Sequence, residues 1–260
     1  MQFKNISLVF LLSFSIFIFI ACTDDGNLTD PIIEVVDTDT AFTKTIEFAS
    51  EDDLIITADH YHVKNNLPVI VLCHQANWSR GEYAEIAPKL NALGFNCIAI
   101  DQRSGGTING VDNETTKRAS NAGKGTAFND AKQDINAAIA KAKELYDTTV
   151  ILWGSSYSSA LALIVATENE NVEQVLSFSP GEYLGTVKVG ESITSLDKPA
   201  FLTSSKSEGN QTKELFDVIP SDTKIQFVPN GNGEHGSRAL WEDKADNAEY
   251  WVAVKAFLGK

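Results

Sequence analysis

The sequence predicts an α/β fold: a mostly parallel central sheet of about eight strands with helices on both faces. Three observations predict it. Short apolar runs alternate with segments of helical spacing along most of the chain. Leu67–His74 is apolar nearly throughout, as a strand buried on both faces should be, and Asn96–Asp101 reads the same way. The 260 residues are 43% hydrophobic and 22% charged, which suits one large domain or two small ones and excludes a disordered, collagen-like or coiled-coil chain. No internal repeat is visible, so solenoids and propellers are not expected. With 21 Lys and Arg against 35 Asp and Glu the net charge is −14. So acidic a surface disfavours nucleic acid as a partner, and anionic lipid as a docking surface. Three cysteines are too few for a disulfide scaffold or a cysteine-based zinc site.

The elements are taken from the N-terminus. Met1–Asn5 carries one base, Lys4, and Ile6–Ile20 is an apolar and serine run of 15 residues ahead of Ala21-Cys22. That run is short for a membrane span and right for a signal-peptide core. The small residue before Cys22 resembles the lipobox of bacterial lipoproteins, although Phe19 stands where that family usually has Leu. The resemblance implies removal of residues 1–21 and acylation of the Cys22 sulfur. The chain would then sit in a bacterial cell envelope and touch the membrane only through that lipid. The alternative is an ordinary secretory signal that happens to precede a cysteine. Residues 22–41 read as a tether, with six acids, no base and Pro31. The globular domain is then 42–260.

Thr43–Phe48 and Leu54–Val63 read as β-rich runs joined by the acidic turn Ser50–Asp53. His60 and His62 alternate onto one side of the second run, and they read as edge-strand surface residues without a third metal ligand. Glu82–Leu93 has helical spacing through Tyr83, Ile86, Leu90 and Leu93, and Gly94 stops it. Arg103–Ala127 is expected to be a Gly- and Asn-rich loop, functional or mobile. Phe128–Tyr146 is helical, Thr149–Trp153 is a strand, and Ser158–Thr167 is a helix of small residues. Val175–Ser179, Ala200–Thr203 and Ile225–Val228 are further strands. Helices are expected at Lys213–Val218 and Asp246–Leu258.

The sharpest chemical signal is Gly154-Ser155-Ser156-Tyr157-Ser158, between a strand and a helix. A serine on a tight strand-to-helix turn has its hydroxyl pushed out of the sheet, and the helix dipole faces developing negative charge. A serine-rich helix N-cap is the plain alternative. In that context the run resembles the nucleophile elbow of the α/β-hydrolase family, written G-x-S-x-G, with Ser158 replacing the second Gly. The resemblance implies that Ser156 is the nucleophile and that an acid and a histidine follow it in that order. A serine hydroxyl needs an imidazole to take its proton, and His235 is the one histidine after Ser156. It lies in the Gly-flanked run Asn230–Gly236, as the family's catalytic histidine does.

The acid has two candidates. The family carries it after the strand preceding the histidine strand, which implies Glu208 in the turn after Ala200–Thr203. Some relatives carry it one strand earlier, where Glu182 follows Pro180-Gly181. The resemblance implies an oxyanion hole from the backbone N–H of Tyr157 and of Ala76, with Gln75 where the family often has Gly. It spans Thr43–Lys260, and Cys73-His74-Gln75 with Asp101–Gly106 looks most like the dienelactone-hydrolase-related branch. That enzyme uses a cysteine where this chain has Ser156, so kinship is implied rather than that substrate. The implied activity is hydrolysis of a small-molecule ester-like acyl bond by Ser156, His235 and Glu208. A peptidase or thioesterase on the same residues, or a silent binding lipoprotein, are the alternatives. No metal or organic cofactor is implied. Cys73 and Cys97 lie toward opposite ends of their strands and are expected to be free, buried thiols.

Overall fold

The computed structural model describes residues 39–260; the leader, Cys22 and the tether before Asp39 lie outside the described residues. Among the described residues no helix is long and apolar enough to cross a membrane. The strands of the main sheet are β1 (Phe42–Ala49), β2 (Ile55–His62), β3 (Val69–Cys73), β4 (Asn96–Ile100), β7 (Val150–Ser155), β8 (Val172–Phe178), β9 (Ala200–Thr203) and β10 (Lys224–Phe227). A separate short hairpin is made of β5 (Thr107–Ile108) and β6 (Val111–Asp112). The main sheet has the order β1-β2-β4-β3-β7-β8-β9-β10. From β4 to β10 every neighbour is parallel, while β2 runs antiparallel to both β1 and β4.

The central strands are buried on both sides, and alternation sends their side chains into two cores. Val69, Val71, Val150 and Leu152 join the core beneath α3 (Lys132–Tyr146), α4 (Tyr157–Glu168) and α6 (Gly209–Val218). Ile70, Leu72, Ile151 and Trp153 join the other, beneath α1 (Ile86–Ala92) and α7 (Asn247–Phe257). Residues 157–166 of α4 are all buried, because this helix lies between the sheet and other helices. The shorter helices are α2 (Glu114–Asn121) and α5 (Val189–Ser192). Cys73 and Cys97 are free and buried; Cys97 pairs in register with Ile70, three residues from Cys73.

Two expectations need correction. Arg103–Ala127 is not one loop, since it holds the β5–β6 hairpin and α2. The Asn113 side chain caps α2 by accepting the Thr116 N–H at 2.8 Å, and the Asp101 carboxylate accepts the Glu114 N–H at 2.9 Å. Arg103, at its start, is buried in an ion-pair cluster with Asp52 and Asp134. His60 and His62 are also not surface residues. Strand β1 covers the edge, and both rings are buried against the Tyr146 hydroxyl, at 2.6 Å and 2.9 Å. Pattern alone could not foresee this, because Tyr146 comes from the far end of α3.

Candidate active site

Strands β3, β7, β9 and β10 are parallel, so the loops at their carboxyl ends gather on one rim of the sheet. Those loops carry Ala76, Ser156, Glu208 and His235. Ser156 joins β7 to α4 with φ 57° and ψ −124°, a strained conformation for a residue with a side chain. Its N–H donates to the Phe178 carbonyl at 2.8 Å, which helps hold that strain. Gly154 permits the turn: a Cβ there would stand 2.3 Å from the Ser158 carbonyl oxygen and 2.5 Å from the Ser159 Cα. Ser158, where a second glycine was the family pattern, is fully buried. Its hydroxyl donates to the His74 carbonyl at 2.5 Å and accepts from the Gln102 amide. The extra hydroxyl therefore links the elbow to the ends of β3 and β4.

The Ser156 Oγ lies 2.8 Å from His235 Nε2, and His235 Nδ1 lies 2.5 Å from Glu208 Oε1. A carboxylate can only accept, so Nδ1 carries the proton and Nε2 is left to accept from the serine hydroxyl. Burial alone would push the Glu208 carboxyl up. Hydrogen bonds from His235 and Ser205 outweigh that and hold it at about 2. Its second oxygen also accepts the Ser179 hydroxyl at 2.9 Å, and Ser179 Oγ in turn accepts the Gly236 N–H at 2.9 Å. This ties the acid to the histidine loop twice. Gly236 needs its φ of +75°, and a Cβ there would meet the Ser155 hydroxyl at 2.6 Å. Glu182 is not brought to His235. Its two oxygens accept the Val189 and Gly190 N–H groups at 2.8 Å and 2.9 Å, capping α5.

Tyr157 opens α4, so its N–H has no acceptor within the helix and lies beside Ser156. Its ring stacks on Phe128 at 4.3 Å. Ala76 belongs to a loop held by His74, whose Nδ1 donates to the Gln75 carbonyl at 2.8 Å while Nε2 accepts the Gln102 N–H at 3.0 Å. Burial lowers His74 to about 4, so it stays neutral and serves as this brace.

Sequence reasoning missed Glu82, which is fully buried in the 3₁₀ turn Arg80–Tyr83. Its carboxylate accepts the Gln75 N–H at 2.8 Å and the Ser155 hydroxyl at 2.7 Å. The signal was present in its spacing: Glu82, Ile86 and Leu90 fall four residues apart, so helical periodicity puts an acid in line with two core residues.

The fold has many solved relatives. An esterase of Pyrococcus furiosus is 18% identical, with 84% of this chain and 92% of that chain covered at a TM-score of 0.65. A dienelactone hydrolase from Anabaena variabilis is 14% identical, with 85% and 98% covered at 0.67. An esterase domain from a Rhodothermus marinus protein is 16% identical, with 83% and 97% covered at 0.57. At these identities the likeness shows the fold. No curated protein matches the sequence. Residues 64–199, just over half of the chain, match the family described as serine aminopeptidase, S33. The chain belongs to that family and is an α/β hydrolase.

Proposed function

We propose that this protein is a serine hydrolase of small-molecule ester-like acyl bonds, acting through a covalent acyl-enzyme. One observation carries the reading: an unbroken hydrogen-bond chain from the Ser156 hydroxyl through both ring nitrogens of His235 to the Glu208 carboxylate. Ser156 Oγ attacks the acyl carbon as His235 Nε2 takes its proton. Glu208 holds the imidazole tautomer and stabilises the imidazolium. The N–H groups of Tyr157 and Ala76 receive the charge on the carbonyl oxygen. The Nε2 proton then passes to the departing alkoxide. Water then attacks the acyl carbon as it gives a proton to His235 Nε2, and His235 returns that proton to Ser156 Oγ as the acyl–Ser156 bond breaks to release the acid.

A fluorophosphonate probe tests the reading, because it phosphonylates an activated serine and releases fluoride. Labelling of wild type at Ser156, absent from folded Ser156→Ala, is expected. Folded wild type that resists the probe would overturn the reading. The family's name favours a second reading, a peptidase on the same residues. Turnover of aminoacyl amides faster than of matched esters would select it. We propose further that Cys22 is lipid-modified and anchors the domain at the cell envelope. Partition of wild type with membranes, lost in Cys22→Ser, is expected; an intact mass with an unmodified mature N-terminus would sink the proposal.

A further inference from the structure

Three loops have to stay in register for the proposed chemistry: the one with Ala76, the elbow with Ser156 and the one with His235. Glu82 touches or reaches all three. Its Oε2 accepts the N–H of Gln75, the residue before Ala76. Its Oε1 accepts the hydroxyl of Ser155, the residue before Ser156. Ser155 Oγ in turn accepts the N–H of Ser237, two residues after His235, at 2.8 Å. The Glu82 main chain is fixed as well, since the Trp241 indole donates to its carbonyl at 2.9 Å.

We propose that Glu82 is a positioning residue of the reaction, which as a carboxylate ties the Ala76, Ser156 and His235 loops to one buried point. The inference rests on the serine-hydrolase reading above. A neutral acid cannot keep the arrangement. The Gln75 N–H can only donate, so an added proton must sit on Oε1. Ser155 then has to accept from Glu82 as well as from Ser237, and the bond on the elbow side reverses. Protonation therefore acts where the nucleophile is held.

Burial raises the Glu82 carboxyl to about 7, against the hydrogen bonds from Ser155 and Gln75 that favour the charged form. The titratable groups facing it are His235 from the histidine loop, Cys73 from β3 and Tyr83 beside it. Burial pushes the Cys73 thiol and the Tyr83 phenol well up, so both stay neutral. The positioning form of Glu82 thus fills as pH rises through about 7.

Glu82→Gln imitates the neutral acid, with its carbonyl toward Gln75 and its NH₂ toward Ser155. The test measures the rate of fluorophosphonate labelling at Ser156 from pH 5.5 to 8.5, for wild type and variant. At the alkaline end Glu82→Gln is expected to label about 10- to 100-fold more slowly, the scale of a small misplacement of reacting groups. The gap should close on the acid side, where wild type is itself neutral. A ratio of one, or one that does not change with pH, would overturn the inference and leave the hydrolase reading standing. Wild type that fails to label at any pH would overturn both. Ser155→Ala is the second variant, needed if Glu82→Gln does not fold. It removes a donor to the carboxylate, so its labelling rate should rise at higher pH than that of wild type. An unshifted profile would also overturn the inference.

Discussion

At the scale of single residues, the site depends on which carboxylate stands behind His235. Glu208 reaches Nδ1 at 2.5 Å, and Ser179 and Ser205 hold its other oxygen. The isosteric amide keeps the shape and offers Nδ1 an NH₂ or a neutral carbonyl in place of the full negative charge that the proposed reaction needs beside an imidazolium. Glu208→Gln should lower kcat on an ester substrate by about 10⁴-fold, in line with the loss of a triad acid. Glu182→Gln should leave kcat close to wild type, because that side chain caps α5 rather than touching His235. Steady-state kinetics of both variants check the ranking, and a larger loss in Glu182→Gln would reverse the assignment.

At the scale of elements, Arg103 joins three parts of the chain. Its guanidinium donates to Asp134 in the first turn of α3 at 2.7 Å and to Asp52 in the β1–β2 turn at 2.9 Å. Its own N–H also donates to Asp134 at 2.8 Å. Hydrogen bonds from Arg103 hold the Asp52 carboxyl well below the usual range despite its partial burial. Asp134 is fully buried, so Arg103→Met leaves a carboxylate with no counter-charge in the core. That should cost about 3–5 kcal/mol of folding stability, read by urea unfolding. Arg103→Met with Asp134→Asn should recover part of the loss. A double variant no more stable than the single one would show that the ion pair is not what joins these elements.

At the scale of the whole molecule, one buried carboxyl beside the site makes folding depend on pH. The Glu82 carboxyl sits at about 7 in the folded chain against an ordinary value of 4.5. A raised folded value means that the native state holds a proton the unfolded chain has released. The group therefore supports folding fully below pH 4.5, and that support is lost as pH rises through about 7. Glu82→Gln stays neutral throughout. Its thermal midpoint relative to wild type should therefore be higher at pH 8 than at pH 5, checked by calorimetry at both. A difference that does not vary with pH would mean that the buried carboxyl does not titrate in this range. Lower stability in the ionised wild type, with faster labelling, is the trade expected where a strained or charged group serves the chemistry.

The sequence by itself determined the order of elements, because alternating apolar runs and helical spacing depend only on neighbours in the chain. It also determined which serine sits on a strand-to-helix turn: Gly154 and the small residues around it leave few other local structures. Several decisions were left to the tertiary structure. Glu208 and Glu182 both follow strands and both precede the histidine in sequence. Only the side-by-side placement of β9 and β10 brings the Glu208 carboxylate to His235, while Glu182 turns to the start of α5. His60 and His62 needed Tyr146, more than eighty residues away, to become buried. Glu82 needed partners from the loop after β3, from β7 and from the histidine loop before its burial had meaning. Periodicity records which side of an element is apolar. Which polar groups meet across the rim depends on strand order and loop length, which no local pattern encodes.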